Sequence, residues 1–141
     1  MSDPLYKREL LRLAADAHGA GKLAHAHAHG SAFNPACGDR VEMDVALDGA
    51  HISDLAHETR ACVLAQASAA ILGRKAKGLT RQDVAVLRAA VAAMLEGAAV
   101  PAQPFEAYGA FEGAVEFRNR HACVLLPIDA LLDAMGESQA S

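Results

Sequence analysis

Apolar and polar residues alternate most cleanly over RVEMDVALDG, residues 40–49. Val41, Met43, Val45 and Leu47 share one side, with Glu42, Asp44 and Ala46 between them. This period of two predicts a strand with one packed face and one wet face. Asp48-Gly49 is a hairpin signal, and a further strand is expected from His51-Ile52 toward Arg60. Upstream, KLAHAHAH (22–29) also alternates and is set off by Gly19, Gly21 and Gly30. It reads as the first strand of a three-stranded antiparallel meander.

The pattern changes at Cys62. CVLAQASAAILGRKAKG is alanine-rich and helical, and its last turn carries Arg74, Lys75 and Lys77 against the negative end of the helix dipole. Thr80 opens another helix, with Asp83 three residues on in capping-box fashion. Pro101 and Pro104 break the chain, and FEAYGAFEGAVEF predicts a short helix and a turn. CVLLPIDALLDAM is the last helix, with Pro127 placed at or near its start. Residues 4–18 predict an N-terminal helix, with Pro4 in its first turn and Gly19 as its stop. Strands early and helices late give an α+β domain with helices on one face of the sheet. We expect residues 1–141 to form a single compact domain, with a disordered tail at 136–141.

Composition narrows the function. A chain of 141 residues can bury a real core. Its net charge of −4 argues against nucleic acid as the main partner. No apolar run is long enough to span a bilayer, and MSDPLYKREL lacks the apolar core of a secretory signal. We therefore expect a cytoplasmic protein. The three cysteines, Cys37, Cys62 and Cys123, are odd in number and widely spaced, which disfavours disulfide stapling. They are read either as buried thiols or as ligands.

Two groups of residues could bind metal. On a strand, His25, His27 and His29 point to one face and could hold Zn²⁺ or Ni²⁺, as in a metallohydrolase. The plainer reading is a solvated polar face, which His51 and His57 on the third strand could widen. The second group starts at NPACGD, where Pro35 and Gly38 shape a sharp turn that presents Cys37 and Asp39. A carboxylate raises a neighbouring thiol pKa, so the pair suits joint metal ligation better than nucleophilic catalysis. Cys62 sits where strand gives way to helix, and Cys123 lies in a basic helix-start context, RNRHACVLL. With Asp39, three such thiols form a Cys₃Asp tetrahedral set suited to Zn²⁺ and able to shift toward iron.

NPACGDRV, CVLAQASAA and RHACVLLP together resemble the three signature blocks of the IscU/SufU/NifU-N-terminal iron–sulfur cluster assembly proteins. The resemblance runs from the N-terminal helix to about Met135. It implies the α+β fold of that family (SufE/NifU-like) and the convergence of Cys37, Asp39, Cys62 and Cys123 at one exposed end. It implies a pyridoxal-phosphate cysteine desulfurase as sulfur donor and a downstream scaffold or apo iron–sulfur proteins as recipients. It also implies a [2Fe–2S] cluster or Zn²⁺ at the Cys₃Asp site, with an aspartate at position 39 that keeps the cluster labile. The family's metal ligands do not lie on its first strand, which favours the solvated reading of the histidines.

Ala122 precedes the last cysteine where the IscU branch has histidine, and no Leu-Pro-Pro-Val-Lys segment is present. Arg120, three residues before Cys123, places the chain nearer the SufU type. That branch implies Cys123 as sulfur acceptor and Arg120 as a group that swings near it. Ala61 stands where the family usually has glycine. A zinc-dependent sulfurtransferase is the alternative to a cluster scaffold, and a plain interaction module with incidental thiols is a further one.

Overall fold

The computed structural model describes residues 8–36 and 38–138. The strands are β1 (Ala28–Asn34), β2 (Asp39–Asp48) and β3 (His51–Arg60). The α-helices are α1 (Arg8–Asp16), α2 (Val63–Lys75), α3 (Arg81–Leu95) and α4 (Arg118–Ser138), with a 3-10 helix at Glu106–Ala114 before α4. The sheet order is β1-β2-β3, antiparallel throughout. The expected meander with helices packed on one face is therefore the observed fold.

The alternation of β2 explains the layering. Val41, Met43 and Val45 are buried under the helices, while Arg40 is exposed and Glu42 and Asp44 lie at the outer surface. The β2–β3 hairpin turns at Gly49, whose φ of +63° suits a residue without a Cβ. The Thr80–Asp83 capping box is present: the Asp83 N–H donates to Thr80 Oγ1, and the Thr80 N–H donates to Asp83 Oδ2.

Helix α4 lies against β1 and β2. At Gly30 a Cβ would overlap the backbone of Ala134 and come within 2.6 Å of the Ala130 carbonyl oxygen. Only glycine admits this approach. The Ser31 N–H, on the outer edge of β1, donates to Asp133 of α4. Arg88 of α3 forms a two-pronged ion pair with Asp129 of α4.

Several expectations need correction. The first strand is not KLAHAHAH. It begins at Ala28, and residues 19–27 instead run across the outer face of the sheet. There Gly19 and Gly21 bond to the backbone of His57 on β3, and the Leu23 N–H donates to Asp44. His25, His27 and His29 therefore do not share a strand face. His27 accepts from the Leu47 N–H, and only His29 stands in β1, between Asp44 (2.7 Å) and Glu42 (3.2 Å). These two carboxylates hold the His29 imidazole above its usual pKa, Asp44 most strongly.

Nor does His57 widen a surface patch, because it is 3% exposed. Its Nε2–H donates to the His18 carbonyl and its Nδ1 accepts from Thr59 Oγ1.

Pro127 does not start a helix. It lies in the interior of α4, which begins at Arg118. The chain stays helical through Ser138, so of the tail expected at 136–141 only residues 139–141 lie outside the described residues.

Burial lowers the His57 pKa below its ordinary value, which is about 6.5. The folded protein therefore binds fewer protons here than the unfolded chain. The stability from neutral His57 is complete above that ordinary value and fades as pH falls below it. In urea unfolding, the stability gap between wild type and His57→Gln should narrow from pH 7.5 to pH 5.5. A gap independent of pH would mean that His57 is not held neutral.

Candidate metal centre

Three elements bring their ends together. Asp39 opens β2 and pairs with Asn34 across the β1–β2 turn. That turn is tied by the Asn34 side chain, which accepts from the Ala36 N–H, and by the Gly38 N–H, which donates to the Asn34 carbonyl. Gly38 has a φ of +75°, as its place in a sharp turn required. Cys37, expected here as a ligand, lies outside the described residues.

Cys62 is the N-cap of α2, as expected from the change of pattern at that residue. Its carbonyl accepts the first helical bond, from Gln66, in an extended backbone conformation. The Gln66 side chain donates to the Ala61 carbonyl and pins the residue ahead of the thiol. Cys123 sits one turn further into α4 than a helix-start reading placed it, and it is fully buried. The contrast follows from position: a cap residue borders solvent, whereas the second turn of α4 faces the core.

Single donor atoms of Asp39, Cys62 and Cys123 all lie within 4.8 Å of one another. Among the described residues this is the one such group able to hold a metal ion. Asp39 is 6% exposed, and its Oδ2 finds no hydrogen-bond partner among the described residues. A buried carboxylate oxygen without a partner is costly.

Burial pushes the Cys62 thiol pKa up. The Ala65 N–H at the helix start lowers it without offsetting the burial, and the Asp39 carboxylate raises it further. A helix N-terminus favours a thiolate, but here desolvation wins. A bound metal would supply the positive charge that turns the thiol into a thiolate and would satisfy the orphaned oxygen. The residues therefore fit a thiolate–carboxylate metal site.

Arg120 is in the first turn of α4, one turn before Cys123, and is partly exposed. His121 turns away from the three donors. Its Nε2–H donates to the Ala114 and Val115 carbonyls, and its Nδ1 faces Glu96 at 3.5 Å. Among the described residues, His25, His27, His29, His51 and His57 form no metal-holding group.

Sequence reasoning passed over Ser68, whose buried hydroxyl bonds to the carbonyl of Val124, next to Cys123. A serine among buried alanines in CVLAQASAA was the available signal.

No helix among the described residues is long and apolar enough to cross a membrane. The chain is 29% identical over 108 residues to an iron–sulfur cluster assembly scaffold protein IscU of Streptococcus pyogenes, covering 74% of this chain and 67% of that protein. The crystal structure of a nitrogen-fixing NifU-like protein (N-terminal) from Brucella abortus superposes with a TM-score of 0.92, at 29% identity over 99% of this chain and 98% of that one. The fold is shared with a putative iron–sulfur cluster assembly scaffold protein for the SUF system from Fervidobacterium islandicum, at a TM-score of 0.85 and 24% identity over 96% of this chain and 99% of that one. The family described as the NifU-like N terminal domain matches residues 5–123. A chain matched over that span, with Asp39, Cys62 and Cys123 converging in its fold, belongs to the NifU-like N-terminal domain family.

Proposed function

We propose that this protein accepts sulfur from a pyridoxal-phosphate cysteine desulfurase and assembles or relays a [2Fe–2S] cluster on a site made by Cys37, Asp39, Cys62 and Cys123. The convergence of Asp39, Cys62 and Cys123 around an orphaned carboxylate oxygen carries this reading. Cys37, two residues before Asp39 in the sequence, is the fourth ligand. The cluster is cargo, and its recipients are a downstream scaffold or apo iron–sulfur proteins. The iron–sulfur scaffolds among the relatives support this assignment.

In the transfer step, the thiolate of Cys123 attacks the outer sulfur of the desulfurase persulfide. A new S–S bond forms on Cys123, and the desulfurase cysteine leaves as its thiolate. Cys123 is fully buried while Cys62 is partly exposed, so transfer requires the Cys123 side chain to move outward. Arg120, on the same face of α4 one turn earlier, is suited to meet the thiolate as it emerges.

A second reading is a zinc-dependent sulfurtransferase of the SufU type. It is favoured by the engagement of His121 with the Ala114 and Val115 carbonyls, which leaves Cys₃Asp as the donor set, and by Arg120 three residues before Cys123. Zn²⁺ in that set keeps thiolates deprotonated without redox chemistry.

Metal-free protein titrated with Zn²⁺ against a chromophoric chelator should take up one ion per chain. Cys62→Ser should weaken binding about a hundredfold, the loss of roughly a quarter of a structural zinc site's binding energy. The His25→Ala/His27→Ala/His29→Ala triple variant should bind as wild type does. Uptake lost in the histidine variant and kept in Cys62→Ser would overturn the site assignment.

Anaerobic incubation with a cysteine desulfurase, cysteine and ferrous iron separates the two readings. Charge-transfer absorption with iron and sulfide in comparable amounts supports the scaffold. Retained zinc with a persulfide on Cys123 supports the sulfur carrier. A protein that gains neither a cluster nor a persulfide would refute both readings. Cys123→Ser should abolish sulfur acceptance while metal binding is only weakened.

Asp39→Ala should slow release, so that a bound cluster survives repurification longer than in wild type. Faster loss from Asp39→Ala, followed by the decay of visible absorption, would contradict the scaffold account.

A further inference from the structure

Among the described residues the buried polar side chains are Asp39, His57 and Ser68. Asp39 belongs to the metal centre, and His57 is held by His18 and Thr59. Ser68 stands apart. It lies inside α2 with Ala65, Ala67, Ala69 and Ala70, all fully buried. Alanine is the better helix former and would fill this place without a polar atom.

The Ser68 hydroxyl is 2.8 Å from the Val124 carbonyl and 2.9 Å from the Tyr108 hydroxyl. A carbonyl only accepts, so the Ser68 proton goes to Val124. Tyr108 must then donate, to Ser68 Oγ and, at 3.3 Å, to the Ser68 carbonyl. The chain of donation runs from Tyr108 through Ser68 to Val124. Tyr108 and Ser68 are both fully buried.

The receiving end lies beside the α4 position that Pro127 deprives of a helical donor. Pro127 has no N–H to give the carbonyl four residues earlier, which is that of Cys123. The turn carrying Cys123 lacks that helical bond. The adjacent carbonyl is instead gripped from α2, the helix that Cys62 caps. Two elements that each bring a sulfur to the centre are thus tied together just beneath it.

We propose that the Ser68–Tyr108 hydroxyl pair is a positioning device that sets the separation of Cys62 and Cys123 by fixing the Pro127-weakened turn of α4 to α2. The pair touches neither metal nor sulfur. The inference rests on the reading of Cys62 and Cys123 as partners in one site.

The test uses the full chain and the variants Ser68→Ala and Tyr108→Phe, each of which deletes one hydroxyl and adds nothing. Wild type and variants are titrated with Co²⁺ against a chelator, and the ligand-field and thiolate charge-transfer bands are recorded. In metal-free protein carrying Cys37→Ser, the Cys62–Cys123 disulfide is equilibrated with oxidised and reduced glutathione, which gives the effective concentration of one thiol toward the other. Circular dichroism confirms folding.

Each single variant should bind Co²⁺ about tenfold more weakly, with shifted bands, as expected for loss of an outer support of the ligands. The disulfide effective concentration should fall by about the same factor. The double variant should lose little more than either single one, because the two hydroxyls act as a unit. Folded variants with unchanged bands, affinity and effective concentration would overturn the proposal and leave Ser68 as a packing residue. Wild type binding no Co²⁺ through Cys62 and Cys123 would sink the metal-site reading alone, and the glutathione measurement would still decide the spacing.

Discussion

The contact of α4 with β1 at Gly30 sets where the rest of the molecule can go. A helix resting directly on strand backbone is as close to the sheet as sterics permit. From that fixed point α4 runs back toward the β1–β2 turn, and the same turn supplies Asp39. The helix and the hairpin therefore meet because of a contact more than a full helical turn away from Cys123. Arg88 and Asp129 brace α4 from its other side. Helix α2 completes the arrangement by starting, through its cap residue Cys62, just where β3 ends.

Electrostatics makes the meeting point unusual. Elsewhere the protein pairs its buried polar groups: His57 has two partners and Ser68 has two. At Asp39 one carboxylate oxygen has no hydrogen-bond partner among the described residues. A carboxylate and two thiols in a poorly solvated place are three potential anions with no compensating charge among them. Binding a cation at such a cluster would release protons from its thiols. Desolvation outweighs the helix start at Cys62, so the cation, rather than the α2 dipole, is what would ionise that thiol.

Much of this was legible in the sequence because local chemistry and tertiary demand agree there. β2 alternates because one face is covered. The Asp48-Gly49 turn and the Thr80–Asp83 box are set by backbone geometry that few residues satisfy. The three donors could be named from turn, cap and helix context, and Asp39, Cys62 and Cys123 do converge. The misreadings occur where the decisive contact is distant. HAHAH imitates a strand face because alanine and histidine alternate, yet residues 19–27 follow a path fixed by His57 and Asp44, which no local pattern reveals. Pro127 looked like a helix start because proline suits that place. It is carried inside α4, where neighbouring elements and not the proline decide how far the helix runs. The opposite exposure of Cys62 and Cys123 is likewise a tertiary fact.

The two long edges of the sheet share a property with consequences for assembly. On the β3 side, the His57 backbone is already paired, with Gly19 and Gly21 in a short parallel bridge. On the β1 side, the Ser31 amide is taken by Asp133 of α4. A three-stranded sheet with free edges invites other chains to add strands and grow ribbons. Here the protein's own backbone and a carboxylate interrupt both templates. Partners are thereby denied the simplest generic handle, backbone zippering, and must recognise side chains instead. Any partner that docks along these edges would therefore be selected by side-chain chemistry rather than held by a continuous backbone ladder.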